Sequence, residues 1–233
     1  MRTIRPDSLT RQVYESIRAS IIRGELAPGS LHSVQELADV LGVSRTPVRE
    51  ALIDLSTQGM VRFERNRGVR ILQTSLHDLE EIFALRLLLE VPAAYLAAEQ
   101  ITDAALRSLR KEFAAMERAA AAENEPTLME HDRKFHGTIL EASGNRRLAG
   151  IVDRLRDLVL VRGVSTAGRS RSLGSIVEEH REILGSIERR ESAATARALR
   201  EHILHTAELL LSQDPEGGAR SGAVRWADLL RFD

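Results

Sequence analysis

The run Ala38-Asp39-Val40-Leu41-Gly42-Val43-Ser44-Arg45-Thr46-Pro47-Val48-Arg49-Glu50-Ala51-Leu52 constrains the fold more than any other part of the chain. Gly42 separates two helical patterns and can take the left-handed backbone that a tight turn between them needs. Ser44 is placed to N-cap the second helix, and Pro47 falls in its first turn, where a missing N–H is harmless. Val48, Leu52 and Leu55 recur at i, i+4 and i+7 and give that helix one apolar face. Arg45, Thr46 and Arg49 lie off this face, near the helix start that favours phosphate. Arg45 and Arg49 project together, where a guanidinium can take O6 and N7 of a guanine. An arginine pair alone describes a solvated helix face; the turn and cap around it describe a helix-turn-helix.

The flanks extend the pattern. An amphipathic helix covers Gln12 to Gly24 and ends at Gly24-Glu25-Leu26-Ala27-Pro28-Gly29, and Ser33 and Glu36 have capping-box spacing for the next helix. Val61-Arg62-Phe63-Glu64 and Val69-Arg70-Ile71 alternate like strands, with Arg65-Asn66-Arg67-Gly68 supplying a basic turn between them. Helices followed by a basic hairpin make a winged helix. From about Leu9 to Leu72 the chain resembles the GntR family of bacterial transcription regulators. The resemblance rests on Ile22-Arg23-Gly24, Pro28-Gly29, Glu36-Leu37-Ala38, Arg45 through Leu52, and Gly68. It implies that Ser44, Arg45, Thr46 and Arg49 meet base edges or phosphate, and that Arg65, Arg67 and Gly68 form a wing on the DNA backbone or minor groove. Gln35 and the preceding Leu31-His32-Ser33-Val34 depart from the usual family pattern, at positions that bear on operator preference.

Composition bounds the setting. The 233 residues allow one large or two ordinary domains, and the absence of cysteine excludes disulfides and thiolate metal sites. No apolar run approaches a membrane span and the first residues lack a signal-peptide core, so a cytoplasmic location is expected. The net charge of −1 is uninformative, but basic residues outnumber acidic ones through Thr74 and the balance reverses after it. The expected architecture is mainly α. A winged helix-turn-helix with a small β-hairpin wing covers residues 1–74, an all-α bundle 75–212, and a tail 213–233 whose Pro-Gly stretch suggests flexibility. Trp226, the lone tryptophan, leaves a short docking helix as the alternative for that tail.

Past Thr74 the pattern is helical throughout. Ser75 to Asp78 opens a long helix to about Gln100, with apolar positions Ile82, Leu85, Leu89, Ala93 and Leu96. Further helices start near Thr102, Asn124, Arg147, Leu173 and Ser192. Asp132 and His136, four apart, share one face of the third of these six helices; His180 and His202 lie on the last two. One carboxylate and three imidazoles facing inward would hold a borderline divalent ion. The spacing is equally that of hydrogen-bonded core or surface residues.

Asp132-Arg133-Lys134-Phe135-His136, Ala142-Ser143-Gly144-Asn145, Glu179-His180-Arg181-Glu182-Ile183-Leu184 and Arg200-Glu201-His202-Ile203 resemble the signature of the FCD domain. This is the sensor of the FadR branch of GntR regulators, and the resemblance spans about Asp78 to Leu211. It implies a divalent metal, zinc, nickel or manganese, on Asp132, His136, His180 and His202, with a small carboxylate effector completing the coordination. In Leu85-Arg86-Leu87-Leu88-Leu89-Glu90 it implies an effector contact for Arg86, whose plainer reading is an i, i+4 ion pair with Glu90. His205 is a substitute ligand one turn from His202; His131 and Arg133 read as surface residues; Arg169-Ser170-Arg171 reads as a solvated loop or an anion lid. The function implied is a homodimeric, ligand-gated repressor on a palindromic operator. Two other classes fit parts of the pattern: a constitutive DNA-binding or architectural protein whose bundle only dimerises, and a metallohydrolase with Glu178 or Glu179 as base.

Overall fold

Among the described residues, 9–161 and 165–213 of a computed structural model, nine helices and three short strands follow in order. They are α1 (Leu9–Ile22), β1 (Leu31–His32), α2 (Val34–Leu41), α3 (Arg45–Thr57), β2 (Val61–Glu64), β3 (Gly68–Ile71), α4 (Leu76–Gln100), α5 (Asp103–Ala121), α6 (Glu125–Ala142), α7 (Leu148–Val161), α8 (Leu173–Glu188) and α9 (Ser192–Leu211). They form two compact units, residues 9–75 with 157–161, and residues 76–156 with 165–213.

In the first unit the helix ends are set by local chemistry. Ser33 caps α2 by accepting from the Glu36 N–H at 3.0 Å, and the Ser33 N–H donates back to the Glu36 carboxylate at 3.4 Å. Gly42, at φ 66°, ends α2 in the left-handed region and donates to the Ala38 and Asp39 carbonyls. The buried faces of α1 (Val13, Tyr14, Ile17, Ile21) and α3 (Val48, Ala51, Leu52, Leu55) close over Met60, Val61, Val69 and Ile71 in one apolar core. Val161 lies in that core and Asp157 pairs with Arg18, which is why the end of α7 belongs to this unit. Nothing in the local pattern of α7 marks where the helix changes neighbours.

The sheet has the order β1-β3-β2, all antiparallel, with Val61 opposite Ile71 and Glu64 opposite Gly68. The expected hairpin is present and carries an additional strand, β1, which pairs Leu31 with Arg70 and His32 with Val69. Two residues offer no alternation to read from sequence. A Cβ at Gly68, where φ is +125°, would stand 2.2 Å from the His32 carbonyl oxygen, so only glycine lets β3 begin against β1.

In the second unit Thr102, Asn124 and Ser172 cap α5, α6 and α8, accepting from the N–H three residues on at 3.1–3.2 Å. Helix α4 packs on α9 and α6, α5 on α6 and α8, and α8 on α9. Pro92 lies within α4 without ending it. The buried stripe of α4 is Leu79, Ile82, Phe83, Leu87, Val91 and Ala94; Leu85, Leu88 and Leu96 point away from it, 36–47 % exposed. No described helix is long and apolar enough to cross a membrane. The expectations for the tail, Asp214 to Phe232 with Trp226, lie outside the described residues.

Candidate functional site

The second unit brings four side chains together at its centre. Asp132 and His136 come from successive turns of α6, His180 from α8 and His202 from α9; all are at most 6 % exposed. Their ligand atoms lie within 4.8 Å of one another. His180 Nε2 stands 2.9 Å from Asp132 Oδ1 and 3.1 Å from His136 Nε2, and His136 Nε2 stands 3.7 Å from Asp132 Oδ1. Ligands each about 2.1 Å from a tetrahedral ion stand roughly 3.4 Å apart, inside this range. Phe135 packs edge-on against the His180 ring at 5.2 Å and holds it from the apolar side.

The outward nitrogens decide what the inward ones are. His180 Nδ1 is 2.7 Å from the Ile176 carbonyl, which can only accept, so Nδ1 carries a proton. His202 Nδ1 is 2.7 Å from Glu179 Oε2. His136 Nδ1 faces Glu90 Oε2 at 3.7 Å, too long for a hydrogen bond, and that oxygen is buried without a hydrogen-bond partner among the described residues. His180 and His136 thus turn Nε2 towards Asp132, and the engagement of His202 Nδ1 by Glu179 leaves its Nε2 for the cluster. Burial favours the neutral rings: it holds His136 well below the ordinary histidine range, helped by the Arg156 charge, and lowers His202 to about 4, helped by His180 and opposed by Glu179. Burial pushes the Asp132 carboxyl up, but Arg156 and the histidines outweigh it and hold the group well below the carboxylate range. Glu179 is likewise kept ionised, at about 2, by His202 and Arg171 against the effect of burial. Three imidazoles and a carboxylate converging in one buried pocket make the donor set of a borderline divalent cation. The donor set fits a divalent ion, and Glu179 and the Ile176 carbonyl fix the orientations of His202 and His180 that such an ion needs.

Sequence reasoning missed the supports of this cluster. Glu90 is fully buried, and its Oε1 accepts from Arg86 Nε at 2.6 Å. Arg156 donates from Nη2 to Asp132 Oδ2, while its Nη1 is buried with no partner among the described residues. Glu179 also accepts from Arg171 at 2.6 Å and lies 2.9 Å from His205 Nδ1, so it is fully engaged as a support. His205 is half exposed and stands outside the cluster. His131 is half-buried against Glu112 at 2.7 Å, Arg133 pairs with Asp153, and Arg171, read above as part of a loop or lid, is buried on Glu179 and Thr166. A cleft of about 500 Å³ lined by His202, Glu179, His205 and Arg197 opens between α8 and α9.

In the first unit α3 buries Pro47, Val48, Ala51, Leu52 and Leu55 and leaves Arg45, Thr46 and Arg49 exposed. Ser44 occupies the N-cap position with extended backbone, but its hydroxyl makes no cap bond. Arg45, Arg49 and Arg65 have no ion pair with a described residue, whereas Arg67 pairs with Glu64 at 3.1 Å. Arg65 and Arg67 flank the tip of the β2–β3 turn, and Gly68 starts β3. The first unit thus exposes basic side chains both at the start of α3 and in the β2–β3 turn.

Residues 9–71 match the bacterial regulatory proteins of the gntR family, and residues 81–205 match the FCD domain. The chain belongs to the GntR family, in the branch with an FCD domain. It is 28 % identical over 215 residues to the HTH-type transcriptional regulator YdhC of Bacillus subtilis, covering 91 % of this chain and 96 % of that protein. It is 29 % identical to LutR of the same organism, covering 82 % and 95 %, and 25 % identical to the repressor RspR of Escherichia coli, covering 86 % and 88 %. The fold matches that of Escherichia coli McbR/YncC with a TM-score of 0.79 at 24 % identity, over 89 % of this chain and 99 % of the other. This GntR-family chain is a DNA-binding transcriptional regulator, not an enzyme.

Proposed function

We propose that this regulator is a homodimeric repressor whose hold on a palindromic operator is gated by a small carboxylate bound at a divalent metal on Asp132, His136, His180 and His202. The observation that carries the reading is the convergence of three buried imidazoles and one ionised carboxylate, with an outer partner facing each ring. When bound, the ion supplies a Lewis-acidic seat for an anionic ligand. The chain's own residues do the rest: Glu179 and the Ile176 carbonyl orient His202 and His180, and Glu90 faces His136. Arg45 and Arg49 read base edges, Ser44 and Thr46 take phosphate or base edges, and the wing residues Arg65 and Arg67 follow the backbone. Gly68 serves the wing by letting β3 lie against β1.

The dimer is supported by α4, where Leu85, Leu88 and Leu96 leave an apolar face on the surface of the second unit. A ligand shifts DNA affinity only through a difference in its affinity for the DNA-competent and DNA-incompetent states, so gating reduces to one coupling free energy. The domain reading that goes with this function is a DNA-reading unit over 1–74, a sensor and dimerisation unit over 75–212, and a tail from 213.

Selection of random duplex DNA by the purified, metal-loaded chain tests the proposal. It should return an inverted repeat with half-sites about one helical turn apart, and small carboxylates should release that DNA unless a chelator is present. Recovery of a single non-repeated site contradicts the dimeric reading. DNA affinity unmoved by any carboxylate, with or without chelator, contradicts the gating and favours a constitutive DNA-binding protein.

A further inference from the structure

The charges around the four-residue cluster are already matched before any metal arrives. Asp132 is paired with Arg156, Glu90 with Arg86 and Glu179 with Arg171. The three carboxylates in and around the site therefore carry no spare negative charge, and an imidazole that ligates a metal brings none. A divalent ion placed here brings two positive charges into a buried region with nothing left to offset them. Buried charge without a partner is strongly unfavourable. A guanidinium is also an odd neighbour for a metal ligand unless it serves an anion. Arg156 is 14 % exposed, donates Nη2 to Asp132, and keeps Nη1 buried with no partner among the described residues. Because the two nitrogens share one carbon, the unused donor lies within a guanidinium's width of the Asp132 carboxylate.

Resting on the metal-site reading above, we infer that the ligand of this site is a dianion, a short dicarboxylate, and that Arg156 Nη1 is its anchor beside the metal. One ligand then supplies both missing negative charges and satisfies the orphaned donor. A monocarboxylate leaves a net buried charge. Arg86, whose Nε is taken by Glu90, acts in this scheme by holding Glu90 against His136.

The experiment uses the full chain loaded with Zn²⁺, with malonate, succinate and acetate as probes read by calorimetry and metal content by elemental analysis. In the wild type, malonate or succinate should bind at least about ten-fold tighter than acetate, and a chelator should abolish the binding. Arg156→Gln keeps one donor for Asp132 but loses the charge and the spare N–H. It should hold zinc as well as or better than the wild type, because a repelling cation is gone, while dicarboxylate affinity falls about ten-fold to a hundred-fold, the range expected for a lost charge-assisted hydrogen bond. Arg156→Lys, which keeps the charge but not the fork, should fall between them. Acetate binding as tightly as the dicarboxylates overturns the inference, as does Arg156→Gln retaining dicarboxylate affinity within about three-fold; both leave the metal reading standing. If Arg156→Gln does not fold, the wild-type comparison and Arg156→Lys decide. A wild type that takes up no zinc overturns the metal reading itself.

Discussion

Acidification should destabilise the metal-free protein through His202, by an amount the structure sets. The ring is buried against Glu179 and His180, and its pKa in the fold is about 4 against an ordinary 6.5. Below pH 6.5 the unfolded chain binds a proton there that the folded chain refuses, so stability present at neutral pH is lost as pH falls towards 4. Integrating that difference gives a loss of about 2 kcal/mol between pH 7 and pH 5 and about 3 kcal/mol by pH 4. His136, also lowered by burial, acts in the same direction. Glu179, with a folded pKa of about 2, contributes little above pH 5 because its unfolded form begins to protonate only near 4.5. For a protein of this size 2 kcal/mol corresponds to a drop of about 4–8 °C in Tm. The assay is thermal unfolding of chelator-treated protein from pH 7 to pH 5, comparing the wild type with His202→Gln. The wild type should show the steeper fall and the variant should lose most of the His202 share. Equal slopes in both proteins would refute the account of a buried, neutral His202.

Further outcomes follow from the same geometry. Glu179→Gln weakens the acceptor that orients His202 and should lower zinc affinity by about ten-fold or more, measured by competition with a chelating dye. Gly68→Ala puts a methyl group 2.2 Å from the His32 carbonyl oxygen; the first unit should lose stability and wing order, read as a lower Tm and weaker DNA binding with zinc content unchanged. Arg49→Ala should cost about 1–3 kcal/mol of specific DNA binding and relax preference at one base pair, whereas Arg67→Ala should weaken all sequences alike and reduce the salt slope. Replacing Leu85 and Leu88 by Glu should give a monomer in sedimentation if the exposed face of α4 joins two copies.

The parts of this molecule legible in the sequence are those set by local chemistry. Gly42, the Ser33–Glu36 box, Thr102, Asn124 and Ser172 mark helix ends because their side chains or backbone freedom act within a few residues. The i, i+4 pair Asp132 and His136 follows from helix geometry alone. What escaped is what depends on residues distant in sequence. Glu90 stands beside the Asp132–histidine cluster only because α4 lies against α6, and Arg156 only because α7 carries it to Asp132; no spacing announces either. The third strand was hidden because Leu31 and His32 are too short a run to alternate. The leucines of α4 mislead for a related reason: the helix is apolar on more than one side, so periodicity cannot tell Leu87, which is buried, from Leu88, which is not.

Ligand gating of this regulator rests on a divalent ion held by Asp132, His136, His180 and His202. Its most direct test is the zinc content of the full chain after reconstitution and exhaustive dialysis, measured by elemental analysis beside His180→Ala. The wild-type chain should hold one ion and the variant almost none, with both proteins still folded by circular dichroism. Equal metal content in the two proteins, or none in either, would contradict it.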